Sequence, residues 1–150
     1  MDAAAQPVTA GVEPTPGCRA GCCGGSTRPP TLTDYIDRGL RRRRAAPLPI
    51  RGDVRCDDAG RFARFSIRVT GEVISAVAFD ATTCVTLIAY CEVAAEWVTG
   101  LTVAAAARRI RVDELLAALP LVPVGKRDRS LLAVQAMMAT FVESTRRRAV

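Results

Sequence analysis

Apolar positions along the chain change period as the sequence is read. From Arg61 to Val69 they alternate, with Phe65, Ile67 and Val69 out of phase with Arg64, Ser66 and Arg68, the pattern of a strand with two unlike faces. Thr70-Gly71-Glu72 reads as a tight turn. Val73 to Phe79 reads as a second strand with Val73, Ser75, Val77 and Phe79 on one face, so the two form a β-hairpin. Ile50 to Arg55 alternates weakly and predicts a further strand. After Cys84 the spacing turns helical: Leu87, Ile88, Cys91, Ala94, Ala95 and Val98 recur at three or four, and Gly100 supplies the stop. Thr102 caps another helix, Val112 to Leu119 forms a short one, and after Pro120 and Pro123 a last helix runs from a Ser130 cap to about Val142. One short helix precedes the strands, capped by Thr31 or Thr33, with Tyr35, Ile36 and Leu40 on one side and Pro47 and Pro49 beyond it. This order predicts an α+β domain over residues 31–145, a small antiparallel sheet of about three strands with helices packed on one face. Residues 1–30, rich in Ala, Pro, Gly and Thr and without an apolar period, read as a disordered tail.

Composition adds three constraints. Aromatic residues are 5% of a chain that is 49% hydrophobic, so the core is built from aliphatic side chains. Histidine is absent, which removes Ser-His-Asp and Cys-His catalysis and leaves Cys, Asp and Glu as the metal ligands to consider. The formal charge is +6, with arginine runs at Arg41–Arg44, at Arg108, Arg109 and Arg111, and at Arg146–Arg148. These read as solvated helix faces and a frayed end, and the rival reading is an anionic or nucleic-acid partner. No secretory signal and no membrane-spanning run is expected, so the six cysteines are read as reduced thiols of a cytoplasmic protein.

The stretch from Cys84 to Ala104 brings a family into view. Cys84 followed by Ala94-Ala95-Glu96-Trp97-Val98-Thr99-Gly100-Leu101-Thr102 resembles the second-cysteine helix of the NifU/IscU-type iron–sulfur cluster scaffolds, which ends Ala-Thr-Glu-(Trp/Leu)-Val-Lys-Gly-Lys-Thr. Lys126-Arg127-Asp128-Arg129-Ser130-Leu131-Leu132-Ala133 is similar to that family's Lys-x-His-Cys-Ser-x-Leu-Ala. The resemblance covers about Ala59 to Val142 and implies the scaffold fold. It also implies a site where three cysteines and a nearby Asp hold a nascent cluster or a zinc ion. Carried over residue by residue, Cys84 keeps the second cysteine, Arg129 stands at the third, and Asp128 stands at the adjacent His. The first cysteine has two registers: an ungapped one places Ala59 there with Arg61 at the Asp, and a slip of three residues recovers Cys56-Asp57-Asp58. The metal ligands implied are therefore Cys84, Cys56, Asp58 and Asp128, holding an iron–sulfur cluster or an iron or zinc ion. Thiolates suit such cargo, and a helix N-terminus favours the thiolate. Arg129 in place of a thiolate adds positive charge and is expected to pair with Asp128.

The resemblance further implies a non-enzymatic role, with a cysteine desulfurase supplying sulfur and acceptor proteins taking the cluster. Two alternatives stay open: a protein-binding module on the same fold without metal, and a small basic nucleic-acid binder. Cys18-x-x-x-Cys22-Cys23 reads as incidental thiols of the tail, or as ligands that fold back toward Cys84. Cys91 and Trp97 are expected in the core.

Overall fold

The computed structural model describes residues 28–150. Nearly all of the expected tail, including Cys18, Cys22 and Cys23, lies outside the described residues. Thr31 starts the first helix, α1 (Leu32–Arg43): its hydroxyl accepts from the Asp34 N–H at 3.2 Å, and the Asp34 carboxylate accepts from the Thr31 N–H at 2.7 Å. Each group satisfies a donor that the first helical turn leaves unpaired.

Four antiparallel strands follow. They are β1 (Ile50–Arg51), β2 (Arg55–Cys56), β3 (Phe62–Thr70) and β4 (Val73–Ala81). Both β1 and β2 pair with β3, at Ile67–Ser66 and at Ala63–Phe62, while β4 pairs with β3 along nearly its whole length. The sheet therefore has three lanes, one of them interrupted, as the weak alternation of Ile50–Arg55 foreshadows. The turn between β3 and β4 needs a left-handed residue, which Gly71 provides at φ +64°. One detail differs from expectation. A bulge in the ladder at Arg68/Val69 shifts β4 by one residue, so Ile74 faces the core while Val73 and Ser75 are exposed. A single extra residue flips every side chain beyond it to the other face.

Helices α2 (Val85–Val98), α3 (Val103–Arg109), α4 (Val112–Ala118) and α5 (Arg129–Arg148) complete the α+β domain. Phe65, Ile67, Val77 and Phe79 form the helix-facing side of the sheet, and the Phe65 and Phe79 rings lie 5.6 Å apart. α2 is apolar nearly all round and is correspondingly enclosed, packed against α1, α3, α4, α5 and β4. Its Cys91 is completely buried, as expected, and burial pushes that thiol well above its ordinary pKa. The close approach of α1 to α2 depends on Gly39, where a Cβ would lie 2.6 Å from Ile88 Cγ2 and 2.9 Å from the Ile88 carbonyl oxygen. α5 begins one residue before Ser130 and continues past Val142 to Arg148. Ser130 lies inside its first turn, with its hydroxyl donating to the Arg127 carbonyl at 2.6 Å.

The first arginine run is structural in part. Arg42 forms a two-pronged pair with Glu92 (Nε–Oε2 2.6 Å, Nη2–Oε1 3.1 Å) and donates to the Val77 carbonyl at 2.8 Å. Arg43 donates to the Ala81 carbonyl at 2.8 Å. Val77 and Ala81 belong to β4, whose edge away from β3 would otherwise present unpaired carbonyls. The reading of Arg41–Arg44 as a plain solvated face is corrected at these two positions. Side-chain hydrogen bonds to a strand edge leave no trace in helical spacing.

Candidate metal centre

Cys84 is the N-cap of α2 and is partly buried, with backbone angles of φ −124° and ψ 111°. Its carbonyl accepts the Ile88 N–H at 2.9 Å, closing the first turn, and its side chain makes no capping bond. The residue thus stands at the helix end where the unpaired N–H groups lie.

Arg129, at the start of α5, projects into the same region. Its Nη1 donates to Asp128 Oδ1 at 2.6 Å and to the Gly125 carbonyl at 2.9 Å. Its basicity is raised first by Asp128 and further by Cys84. Asp128 holds a second arginine, with Arg61 Nη2 at 2.9 Å from its Oδ2. Arg61 in turn donates from Nε to Asp57 Oδ2 at 2.7 Å. Asp57 Oδ1 accepts the backbone N–H groups of Ala59 and Arg61, each at 3.0 Å, which folds the turn between β2 and β3. Partial desolvation pushes the Asp57 carboxyl up, but these donors outweigh it and hold the group below its ordinary pKa. The result is a chain of alternating charge, Arg129–Asp128–Arg61–Asp57.

The four residues expected as ligands meet only in part. Cys56, Asp58 and Asp128 line one open cavity of about 430 Å³, together with Asp57 and Arg61. Cys84 does not line it. Cys56 is exposed on β2, and Asp58 points to solvent while Asp57 makes the contacts. Among the described residues, no group of three or more Cys, Asp or Glu side chains is arranged to hold a metal ion. A further observation weighs against direct coordination: Arg129 Nε is buried without a hydrogen-bond partner, and a donor seeks an acceptor, not a cation. The expected pairing of Arg129 with Asp128 is present. Sequence reasoning missed Asp57 and the bridging role of Arg61. The Asp-x-x-Gly-Arg order, a turn carboxylate four residues before a cation, is the local signal that points to both.

The sequence model described as NifU-like N terminal domain matches residues 36–149. The chain belongs to the NifU-like N-terminal domain family. No curated protein matches it. Solved structures similar to this NifU-like chain include the following three. One, described as a hypothetical protein, is 14% identical, with 69% of this chain and 96% of that one covered and a TM-score of 0.46. A candidate iron–sulfur cluster assembly scaffold for the SUF system from Fervidobacterium islandicum AW-1 is 14% identical (73% and 90% covered, TM-score 0.41). A nitrogen-fixing NifU-like protein, N-terminal part, from Brucella abortus is 19% identical (76% and 88% covered, TM-score 0.37). Within this NifU-like domain, Trp97 is half-buried at the core's margin, its ring covered by the Arg109 guanidinium at 3.8 Å. Among the described residues, no helix is long and apolar enough to cross a membrane.

Proposed function

We propose that this NifU-like protein serves iron–sulfur cluster assembly by docking partners of the assembly machinery, and that it does not hold a cluster on its own ligands. Arg129 is the observation that carries this reading. Its guanidinium occupies the space beside Cys84 and is bonded at 2.6 Å to Asp128, one of the carboxylates a metal would need. A cation at that point repels ferrous iron and removes a soft ligand that a cluster requires. The partners inferred from family membership are a cysteine desulfurase and cluster-accepting proteins, met in the cytoplasm, and the role is non-catalytic. Membership of the family favours these over nucleic acid.

A second reading rests on the shared cavity of Cys56, Asp58 and Asp128. If Arg129 and Arg61 swing away, those three and Cys84 become ligands for iron or a cluster, and the protein carries and transfers it. Anaerobic reconstitution with ferrous iron and sulfide separates the two. Wild type is expected to lose both on desalting, whereas Arg129→Cys retains them with visible charge-transfer absorption. Stoichiometric iron and sulfide on wild type, lost in Cys84→Ser, would overturn the docking reading and establish the second. Desulfurase capture that survives Cys84→Ser and Cys56→Ser supports the first.

A further inference from the structure

The sheet face turned away from the main core is not open to solvent throughout. Ser66 on β3 and Ala78 on β4 are buried there, because the segment linking α1 to β1 crosses them, and the Leu48 N–H donates to the Ser66 hydroxyl at 2.9 Å. Between this segment and the sheet lies a cavity of about 260 Å³. Three arginines from three elements line it: Arg43 from the end of α1, Arg51 from β1 and Arg64 from β3.

Two of the three charges are held in place, and none of the three is cancelled. Arg43 is anchored through Nε to the Ala81 carbonyl at 2.8 Å and through Nη2 to the Thr83 hydroxyl at 3.2 Å. Arg64 is anchored through Nε to the Gly52 carbonyl at 3.0 Å. A carbonyl orients a guanidinium without neutralising it, and it leaves the remaining N–H donors uncommitted. Asp80 lies directly across the ladder from Arg64 and lines the same cavity. Yet among the described residues no ion pair involves Arg43, Arg51, Arg64 or Asp80. Three guanidinium charges set against one carboxylate leave a surplus of two.

We propose that this cavity binds a phosphate-type dianion, either inorganic phosphate or the phosphoryl group of a small monoester. The charge surplus matches a dianion, and guanidinium forks match phosphate oxygens. The volume falls just below the roughly 300–1,000 Å³ of sites that enclose larger organic ligands, which favours a small oxyanion. The site is separate from Cys84 and Arg129, so its test does not depend on how cluster chemistry resolves.

Calorimetric titration of the full chain at low ionic strength, with inorganic phosphate and with methyl phosphate, provides that test. One saturable site per chain is expected. Arg51→Gln, which removes no structural hydrogen bond, weakens it at least tenfold while leaving the anion-free melting temperature unchanged. Arg64→Gln weakens it as well, and Asp80→Asn tightens it several-fold. Methyl phosphate binding as well as phosphate identifies a monoester as the ligand, and phosphate binding alone identifies the free ion. Absence of saturable heat with either probe, or equal affinity in wild type, Arg51→Gln and Arg64→Gln, overturns the proposal, because the latter is what diffuse attraction to a +6 chain produces.

Discussion

Two arginine–carboxylate networks in this molecule use the same chemistry at different depths. Where α1 meets α2, the Glu92 side chain is 2% exposed and Arg42 grips it with two hydrogen bonds while also holding a strand carbonyl. Beside Cys84, the Asp128 side chain is 58% exposed although two guanidiniums bond to it. The first network closes a junction between elements of the core, and its loss strands a charge in the interior. The second lies over a surface site, where water can reach the Asp128 carboxylate. Burial of the carboxylate therefore separates the network that belongs to the core from the one that borders the candidate site.

Breaking the buried pair is the largest effect expected. Arg42→Ala leaves Glu92 uncompensated and should destabilise the protein by about 3 kcal/mol, the lower end of the range for one-sided loss of a buried ion pair. Arg129→Ala should change stability by no more than about 1 kcal/mol, because the Asp128 carboxylate it leaves behind is exposed and keeps Arg61. Urea denaturation measures both. Comparable losses from the two variants would erase the distinction between the networks. Replacing both partners with apolar residues, Arg42→Met with Glu92→Leu, should recover much of the loss, because no buried charge then remains.

The same contrast predicts opposite responses to pH. Burial raises the Glu92 carboxyl above its ordinary 4.5, with Arg42 opposing and Glu96 adding to the rise. Its unfolded form therefore gives up the proton first, so the contribution of Glu92 is fully present below 4.5 and is lost as pH climbs from there through the folded value. Asp57 is shifted the other way, below its ordinary 3.8, so its contribution is present above 3.8 and is lost as pH falls through the folded value. The stability of wild type relative to Glu92→Gln should thus decline on going up from pH 4.5. Relative to Asp57→Asn it should decline on going down from pH 3.8. Chemical denaturation across pH 3 to 8 reads both slopes, and two slopes of the same sign would contradict the assignment of burial to one network and exposure to the other.

These networks also mark where sequence reading succeeds. The order of the helices, the Thr31 and Thr102 caps, the hairpin and the burial of Cys91 follow from local period and capping chemistry, whereas the last helix runs six residues past its expected end. The partnership of Arg129 with Asp128 was legible because the two are adjacent in sequence. Arg42 and Glu92 sit fifty residues apart, and nothing in either neighbourhood selects the other. The ladder bulge was hidden for a related reason: Val73, Ser75, Val77 and Phe79 alternate well enough to suit an unbroken strand, and only pairing with β3 reveals the extra residue. At the candidate site, Cys56-Asp57-Asp58 presents two neighbouring carboxylates. The turn decides between them by giving Asp57 two backbone N–H groups and a guanidinium.

The smallest effect expected separates structural from functional polarity near Cys84. Tyr90 lies on α2, is completely enclosed, and its hydroxyl has no hydrogen-bond partner. Burial raises its pKa, with Arg127 opposing and Asp128 adding to the rise. A buried hydroxyl without a partner carries a desolvation penalty of about 1–3 kcal/mol that an apolar group of the same shape does not. Tyr90→Phe should therefore match or exceed wild type, by up to about 1 kcal/mol after allowing for a small repacking loss. Native-state alkylation mapped by peptide mass gives the companion readout: among the three cysteines of the described residues, Cys56 is labelled fastest, Cys84 slower and Cys91 is protected, in the order of their exposure. If the hydroxyl is an unused remnant of the fold, Tyr90→Phe keeps that labelling order and stability does not fall. A loss of stability together with faster labelling at Cys84 would mean that the hydroxyl is held by a group that also shields the thiol, and the surface network would then reach into the core.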